Sequence, residues 1–331
     1  MKKQNFMYMT VCIFIILLLT KTAGADCEQG KSLYERAVSQ QNIAQRITLL
    51  RNSVAQCENF NAYYELGKAY EASAQFEEAE KTLEKARDIA GNNKATTKAL
   101  IRLGRVYEKT GRLDKAEDTL KKAQNTAEGS KSIAKLLARL GLVYEKMGKT
   151  ELAYTCFRDS YDSHPYPKVY ERFKALGIRR MEQGVSAEQI KTSLLFQRKS
   201  YKNFNKGFQP QRSGIDLPIH FKFDSTEFAS DRYLQQAKSL GEALINDSEL
   251  VDWKFTLIGH TDIRGTEEYN QILSEQRAEA LKTYLVREFS INSDRIRTEG
   301  RGEKEPEHLG NTEDDHDLNR RVKVEVEYQK D

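Results

Sequence analysis

The chain has 331 residues, 39% of them hydrophobic, and a formal charge of +4 from 53 Lys/Arg against 49 Asp/Glu. That length accommodates two domains, and the polarity excludes a multi-span membrane protein. So small a positive excess leaves no electrostatic footprint for nucleic acid.

Lys2 and Lys3 precede an apolar run from Phe6 to Leu19, and Ala23-Gly24-Ala25 offers a small-x-small cleavage site. Residues 1–25 therefore read as a secretory signal peptide. The run is shorter than the roughly twenty residues that span a bilayer; an uncleaved anchor is the alternative, and Asp26 before Cys27 is unsuited to a lipid-attachment box. Cys27 would begin a first helix, Lys31 to Gln40, and Cys57 would end a second, Ile43 to Gln56. An antiparallel hairpin brings both to one end, so a Cys27–Cys57 disulfide is expected in an oxidising compartment. Cys156 reads as a small buried hydrophobe.

From Asn61 the sequence repeats. Leu66-Gly67 with Tyr70, Ala79 and Leu83 returns as Leu103-Gly104 with Tyr107, Ala116 and Leu120, then as Leu140-Gly141 with Tyr144, Ala153 and Phe157. This resembles the tetratricopeptide helix-turn-helix unit, stretched by about three residues per repeat. The resemblance implies an all-α solenoid with a concave face for a protein partner. Tyr64, Lys68 and Glu71, then Ile101, Arg105 and Glu108, then Ala138, Leu142 and Glu145 would line that face.

Pro165-Tyr166-Pro167 ends the repeats; Lys168 to Met181 reads as a capping helix, and Ser186 with Gln189 as a capping box opening a helix to about Phe196. Residues 26–196 are thus expected to form the helical domain and 197–214, basic and aperiodic, a linker that leaves the two domains independent. In 215–331, Ile219, Phe221 and Phe223 alternate with polar residues as a first strand. A helix from about Asp231 to Asn246, a strand from Trp253, a helix to Phe289, and strands at Ile296–Gly300 and Arg321–Tyr328 follow, with an acidic, mobile loop from His308 to Asp317.

Between the Trp253 strand and its helix lies GHTDIRGTEEYNQILSEQRA, Gly259 to Ala278. Ser274 reads as an N-cap, which puts Arg277 one turn into the helix with its fork turned back toward Asp262. A carboxylate beside a guanidinium suits a zwitterion, although an internal ion pair has the same signature. The wider pattern, GHTD, Gly265, Asn270, Leu273-Ser274, Arg277-Ala278, Gly300, Gly302, Pro306 and Asn319-Arg320-Arg321-Val322, resembles the OmpA-like peptidoglycan-binding family over Ile215 to Glu327. The resemblance implies an α/β (α+β) sandwich that binds the diaminopimelate residue of the wall peptide. Asp262 would take the ammonium and Arg277 the carboxylate, with Thr261, Asn270, Leu273, Asp224 and Arg321 shaping or flanking the pocket. His316 stands where many members have arginine.

The histidines show no metal-ligand spacing, no nucleophile elbow surrounds Ser274, and no cofactor motif is present. The expected protein is a multidomain, non-enzymatic adaptor in the periplasm of a Gram-negative bacterium. It would hold peptidoglycan at one end and an envelope protein at the other; the alternative is a purely structural tether or self-associating scaffold.

Overall fold

The computed structural model describes residues 27–203, 214–245, 249–250 and 252–327, so the expected signal peptide and most of the basic stretch before Gly214 lie outside the described residues. The chain divides into two compact units at Glu128/Gly129.

The first unit is helical: α1 (27–39), α2 (Ile43–Gln56), α3 (Phe60–Ala72), α4 (Phe76–Asp88), α5 (Asn93–Lys109) and α6 (Leu113–Gln124). Asn42, Asn59 and Asn92 cap α2, α3 and α5 with their side-chain oxygens, satisfying first-turn amides that no helical carbonyl reaches. Cys27 and Cys57 are joined, closing the α1–α2 hairpin whose buried Ser53 hydroxyl donates to Gly30 O at 2.7 Å. A loop of this length constrains the unfolded chain by roughly 3–4 kcal/mol.

Within each repeat the paired helices meet at the expected glycine. A Cβ on Gly67 would stand 2.5 Å from Leu83 and one on Gly104 2.6 Å from Leu120, so both positions require the bare backbone. Ala79, Ala116, Leu83 and Leu120 are fully buried at those crossings, which is why small residues recur there.

The second unit opens with the third repeat, α7 (Ser130–Lys146) and α8 (Thr150–Ser163), where Gly141 meets Phe157 in the same way. Two further helices follow, α9 (Pro167–Gln183) with proline in its first turn, and α10 (Ala187–Asn203). The Ser186/Gln189 capping box forms reciprocally, at 2.9 and 3.3 Å. Helix α10 runs seven residues past the expected end at Phe196, into what reads as linker. Gln197 is buried there and bonds Gly214 at both N and O (2.7 and 2.8 Å), clamping the helix to the start of the next strand.

A four-stranded sheet then forms from β1 (Ile215–Leu217), β2 (Lys254–Gly259), β3 (Ile296–Gly300) and β4 (Val322–Glu327), in the order β1-β4-β2-β3. Pairing is antiparallel for β1/β4 and β4/β2 and parallel for β2/β3. Helices α11 (Asp231–Ile245) and α12 (Glu267–Phe289) cover one face, and a short α13 (Glu313–Asn319) precedes β4. Val322, Val324 and Val326 point with Ile215 and Leu217 into the core under α11 and α12, and Ile190 and Leu194 of α10 belong to that same core. The fold is therefore a tetratricopeptide solenoid followed by an α/β sandwich, but α10 completes the sandwich instead of leading away from it.

Two expectations are corrected. The first strand is Ile215–Leu217; Ile219 and Phe221 are buried, but 219–228 turns back on itself through a Phe221/Phe228 bridge and leaves Phe223 exposed. The segment His308–Asp317 is not a loose loop, because His308 is buried and α13 is closed by a Thr312/Asp315 capping box.

The opposite sheet face carries charge. Asp216, Arg321 and Lys323 alternate with the core residues of β1 and β4, all nearly inaccessible to solvent. Helices α8 and α9 meet them with complementary groups. Arg158 Nη1 lies 2.7 Å from Asp216 Oδ2, and Arg321 Nε lies 2.7 Å from Asp216 Oδ1 and 3.2 Å from Glu307 Oε2. Arg180 is held by both Glu151 oxygens at 2.5 and 2.9 Å, and the buried Tyr154 hydroxyl donates to Glu307 at 2.7 Å. The last helices of the repeat segment and the sandwich are one packed body, not independent domains.

Candidate ligand-binding site

The site lies where β2 ends. Gly259 and Gly300, the last residues of β2 and β3, face the middle of α12. A Cβ on Gly259 would fall 2.1 Å from Ser274 O, and one on Gly300 2.5 Å from Glu275 N. Only glycine lets the helix come this close, and the loop after β2 is thereby laid across the helix's side. Backbone bonds from His260 to Arg321 O and from Thr261 to Gly302 O, both 3.0 Å, fix its path. Ser274 is not an N-cap. Thr266 caps α12, accepting from Tyr269 N at 3.2 Å, and Ser274 sits inside the helix with its hydroxyl accepting from Gly302 N. Arg277 is consequently in the third turn of α12.

Asp262 and Arg277 do not pair with each other. Asp262 is buried, and its Oδ2 accepts from Arg264 Nη2 at 2.5 Å and Arg320 Nη1 at 2.6 Å, while among the described residues Oδ1 accepts only the Arg264 amide, at 3.0 Å. Burial raises its pKa, but the bonds from Arg264 and Arg320 outweigh that and hold it at about 2. Glu313 balances the two arginines from outside, at 3.3–3.4 Å. Arg277 is buried against the Phe221 ring, 5.5 Å from its centroid, and donates to Lys222 O and Ser225 O at 3.1 and 3.2 Å. No carboxylate pairs with it among the described residues, and burial pushes its pKa down. A buried guanidinium that meets carbonyl dipoles and an aromatic face, with no carboxylate paired to it among the described residues, has the chemistry to accept an anion.

The other expected residues fall around this pair with one exception. Asp224, in a left-handed turn, accepts from Tyr269 Oη at 2.6 Å. Asn270 is buried and bonds Glu303 and Arg264 O, and Leu273 is buried one turn before Arg277. The Thr261 hydroxyl is buried and makes no hydrogen bond among the described residues. Arg321 is the exception: it lies on the opposite sheet face with Asp216 and Glu307, and Arg320 is the motif arginine that reaches Asp262. Arg264, Arg320 and Glu313 were absent from the expected set.

His260 and His220 are buried beside these groups. Burial first, then nearby arginines, push their pKa values to about 2 and about 3. Both are neutral when folded, whereas in the unfolded chain they take up protons below pH 6.5, so stability falls as pH drops below 6.5. Between pH 6.5 and 5 each histidine should cost about 2 kcal/mol. Urea unfolding at pH 7 and pH 5 checks this, with His220→Phe, which keeps the stack on Tyr233, removing one histidine's share of the loss.

In the repeats, the row expected to face a partner is largely engaged internally. Glu71 is buried and neutralised by Arg102, Arg105 and Lys109 at 2.8–2.9 Å, and Glu108 is buried as well, so neither is presented outward. Tyr64 stacks on Phe60 and lies under Arg102, leaving Tyr64, Lys68, Ile101 and Arg105 partly exposed. Leu142 and Glu145 are partly exposed too, with Glu145 held by Arg172 at 2.6 Å.

Residues 220–320 match the sequence model of the OmpA family, and residues 58–129 and 134–165 match tetratricopeptide-repeat models. Outer membrane porin F of Pseudomonas aeruginosa is 34% identical over 113 residues, which are 34% of this chain and 31% of that protein. A peptidoglycan-associated lipoprotein of Buchnera aphidicola is 31% identical over 119 residues, 36% of this chain and 65% of that protein. The chain thus spans less than two thirds of either relative. The crystal structure of the peptidoglycan-associated lipoprotein from Burkholderia pseudomallei is 28% identical with a TM-score of 0.29, covering 33% of this chain and 88% of that one.

Proposed function

Because the chain carries an OmpA-family domain behind tetratricopeptide repeats, we propose that it binds peptidoglycan non-covalently in the periplasm of a Gram-negative cell, through the zwitterionic end of the wall peptide's diaminopimelate residue. The carrying observation is the buried Arg277 guanidinium without a carboxylate partner among the described residues, beside an ionised Asp262. The ligand's carboxylate takes the Arg277 fork, and its ammonium takes Asp262 Oδ1, which has accepting capacity left. Arg264 and Arg320 hold the Asp262 carboxylate in place, the Thr261 hydroxyl offers a further polar contact, and Asn270, Leu273 and Asp224 shape the wall of the pocket. Each charge-assisted bond contributes about 1.5–3 kcal/mol, so affinity for one peptide is modest and the many sites of a sacculus supply the rest. The role is binding, with no cofactor and no reaction.

The repeats would then present a surface to an envelope protein. The internal neutralisation of Glu71 favours a second reading, in which the helical segment is a spacer or self-association surface. Co-sedimentation with purified sacculi tests the wall-binding reading: the intact protein pellets, and Asp262→Ala and Arg277→Ala stay in the supernatant. Undiminished pelleting of both variants would overturn the pocket.

A further inference from the structure

Helix α9 lies outside the segment that matches the OmpA family, yet it grips the part of the sandwich that carries Arg320. Lys174 Nζ lies 2.6 Å from Asp315 Oδ1 and 3.3 Å from Thr312 Oγ1. Asp315 is the residue whose other oxygen caps α13 through Thr312 N at 3.0 Å, so one carboxylate both closes α13 and receives the lysine. One turn along α9, Gly177 makes room for Leu318; a Cβ there would stand 2.9 Å from Leu318 Cδ2. The two helices therefore touch twice, 174 against 315 and 177 against 318.

The chain just before α13 is held from the same side. Phe173 stacks on His308 at 4.7 Å, and Asn319 joins α13 to residues 307–308 by accepting their amides at 2.8 and 2.9 Å and donating to His308 O. Immediately after α13 comes Arg320, whose guanidinium reaches Asp262 Oδ2. An acidic seven-residue helix with carboxylates at four of its seven positions has little tendency to hold itself in place.

Resting on the wall-binding reading above, we propose that Lys174 is a positioning residue for the wall site: by fixing α13 it places Arg320 on Asp262, so wall affinity is set partly by the last helices of the repeat segment. Lys174 does not touch the ligand. It raises the fraction of molecules in which Asp262 is already oriented, and apparent affinity scales with that fraction. Whatever shifts α9 shifts the wall site with it. Consistent with this, burial raises the Asp315 pKa but the bonds from Lys174 and Thr312 more than offset it, holding the group at about 2.

The test uses the full mature chain and a soluble wall peptide containing diaminopimelate. Lys174→Ala should bind about tenfold more weakly, and Lys174→Arg should restore binding. In an Arg320→Ala background Lys174→Ala should have no further effect, because the residues act through one another. A merely structural role would weaken binding equally in both backgrounds, and that result, unchanged binding, or tighter binding by Lys174→Ala would overturn the proposal. Amide hydrogen exchange without ligand separates its failure from that of the wall-binding reading. Lys174→Ala should lose protection across residues 307–320, and unaltered protection there would overturn it even if no peptide bound.

Discussion

Asp216→Ala is expected to destabilise the second unit by about 3–5 kcal/mol, the loss typical of removing one partner from a buried ion network. Asp216 accepts Arg158 on one oxygen and Arg321 on the other, and its carboxyl is held well below the usual range because the two guanidiniums outweigh the effect of burial. Neither arginine can turn to water: Arg158 has no accessible surface and Arg321 is nearly as enclosed. Asp159 and Glu307 retain some compensation, which puts the effect toward the lower end of the range. In urea unfolding, the midpoint should drop with the slope unchanged. Asp216→Asn, which keeps the shape and one accepting oxygen but sets its NH2 against a guanidinium donor, should lose less than the alanine variant. A change below about 1 kcal/mol for the alanine variant would mean the seam between α8, α9 and the sheet is hydrated or open.

Arg277→Ala is expected to weaken wall binding by about 30- to 1000-fold, the 2–4 kcal/mol range for truncating one partner of a buried, hydrogen-bonded charge pair. Two features make this larger than an exposed arginine would give. The side chain is already in place, held by Lys222 O and Ser225 O and by the Phe221 face, so no ordering cost offsets the contact. Its charge also lacks a carboxylate partner among the described residues, so a ligand carboxylate supplies compensation the fold does not. Stability should change little or rise, because the variant removes a desolvated cation. Binding lost together with a lowered melting point would instead point to collapse of the 222–228 turn.

The repeats were legible in the sequence because their packing demands one residue type at fixed spacing. Gly67, Gly104 and Gly141 recur every 37 residues, each opposite a large side chain of its partner helix. The Cys27–Cys57 pairing was legible because the helical periods of α1 and α2 put both residues at one end of a hairpin.

The pocket was legible only in part. Asp262 and Arg277 stand out by motif, but their partners are set by tertiary contacts, and the local reading of Ser274 as a cap failed because Thr266 starts α12 two turns earlier. The choice between Arg320 and Arg321 was within reach of strand parity: with Val322, Val324 and Val326 facing the core, Arg321 and Lys323 must face the other way. What parity does not reveal is that α8 and α9 cover that second face. Arg158, Arg180 and Lys174 look in sequence like any solvated helix charge, and only the fold shows them meeting Asp216, Glu151 and Asp315.

That the pocket reads a zwitterion is tested by calorimetric titration of residues 26–331 with two soluble wall peptides. One peptide carries diaminopimelate and the other carries lysine at the same position, which keeps the ammonium and lacks the second carboxylate. Wild type should prefer the diaminopimelate peptide by at least tenfold, and Arg277→Ala should bind the two alike. Equal affinity of wild type for both would contradict it, and the buried Arg277 would then belong to the fold alone.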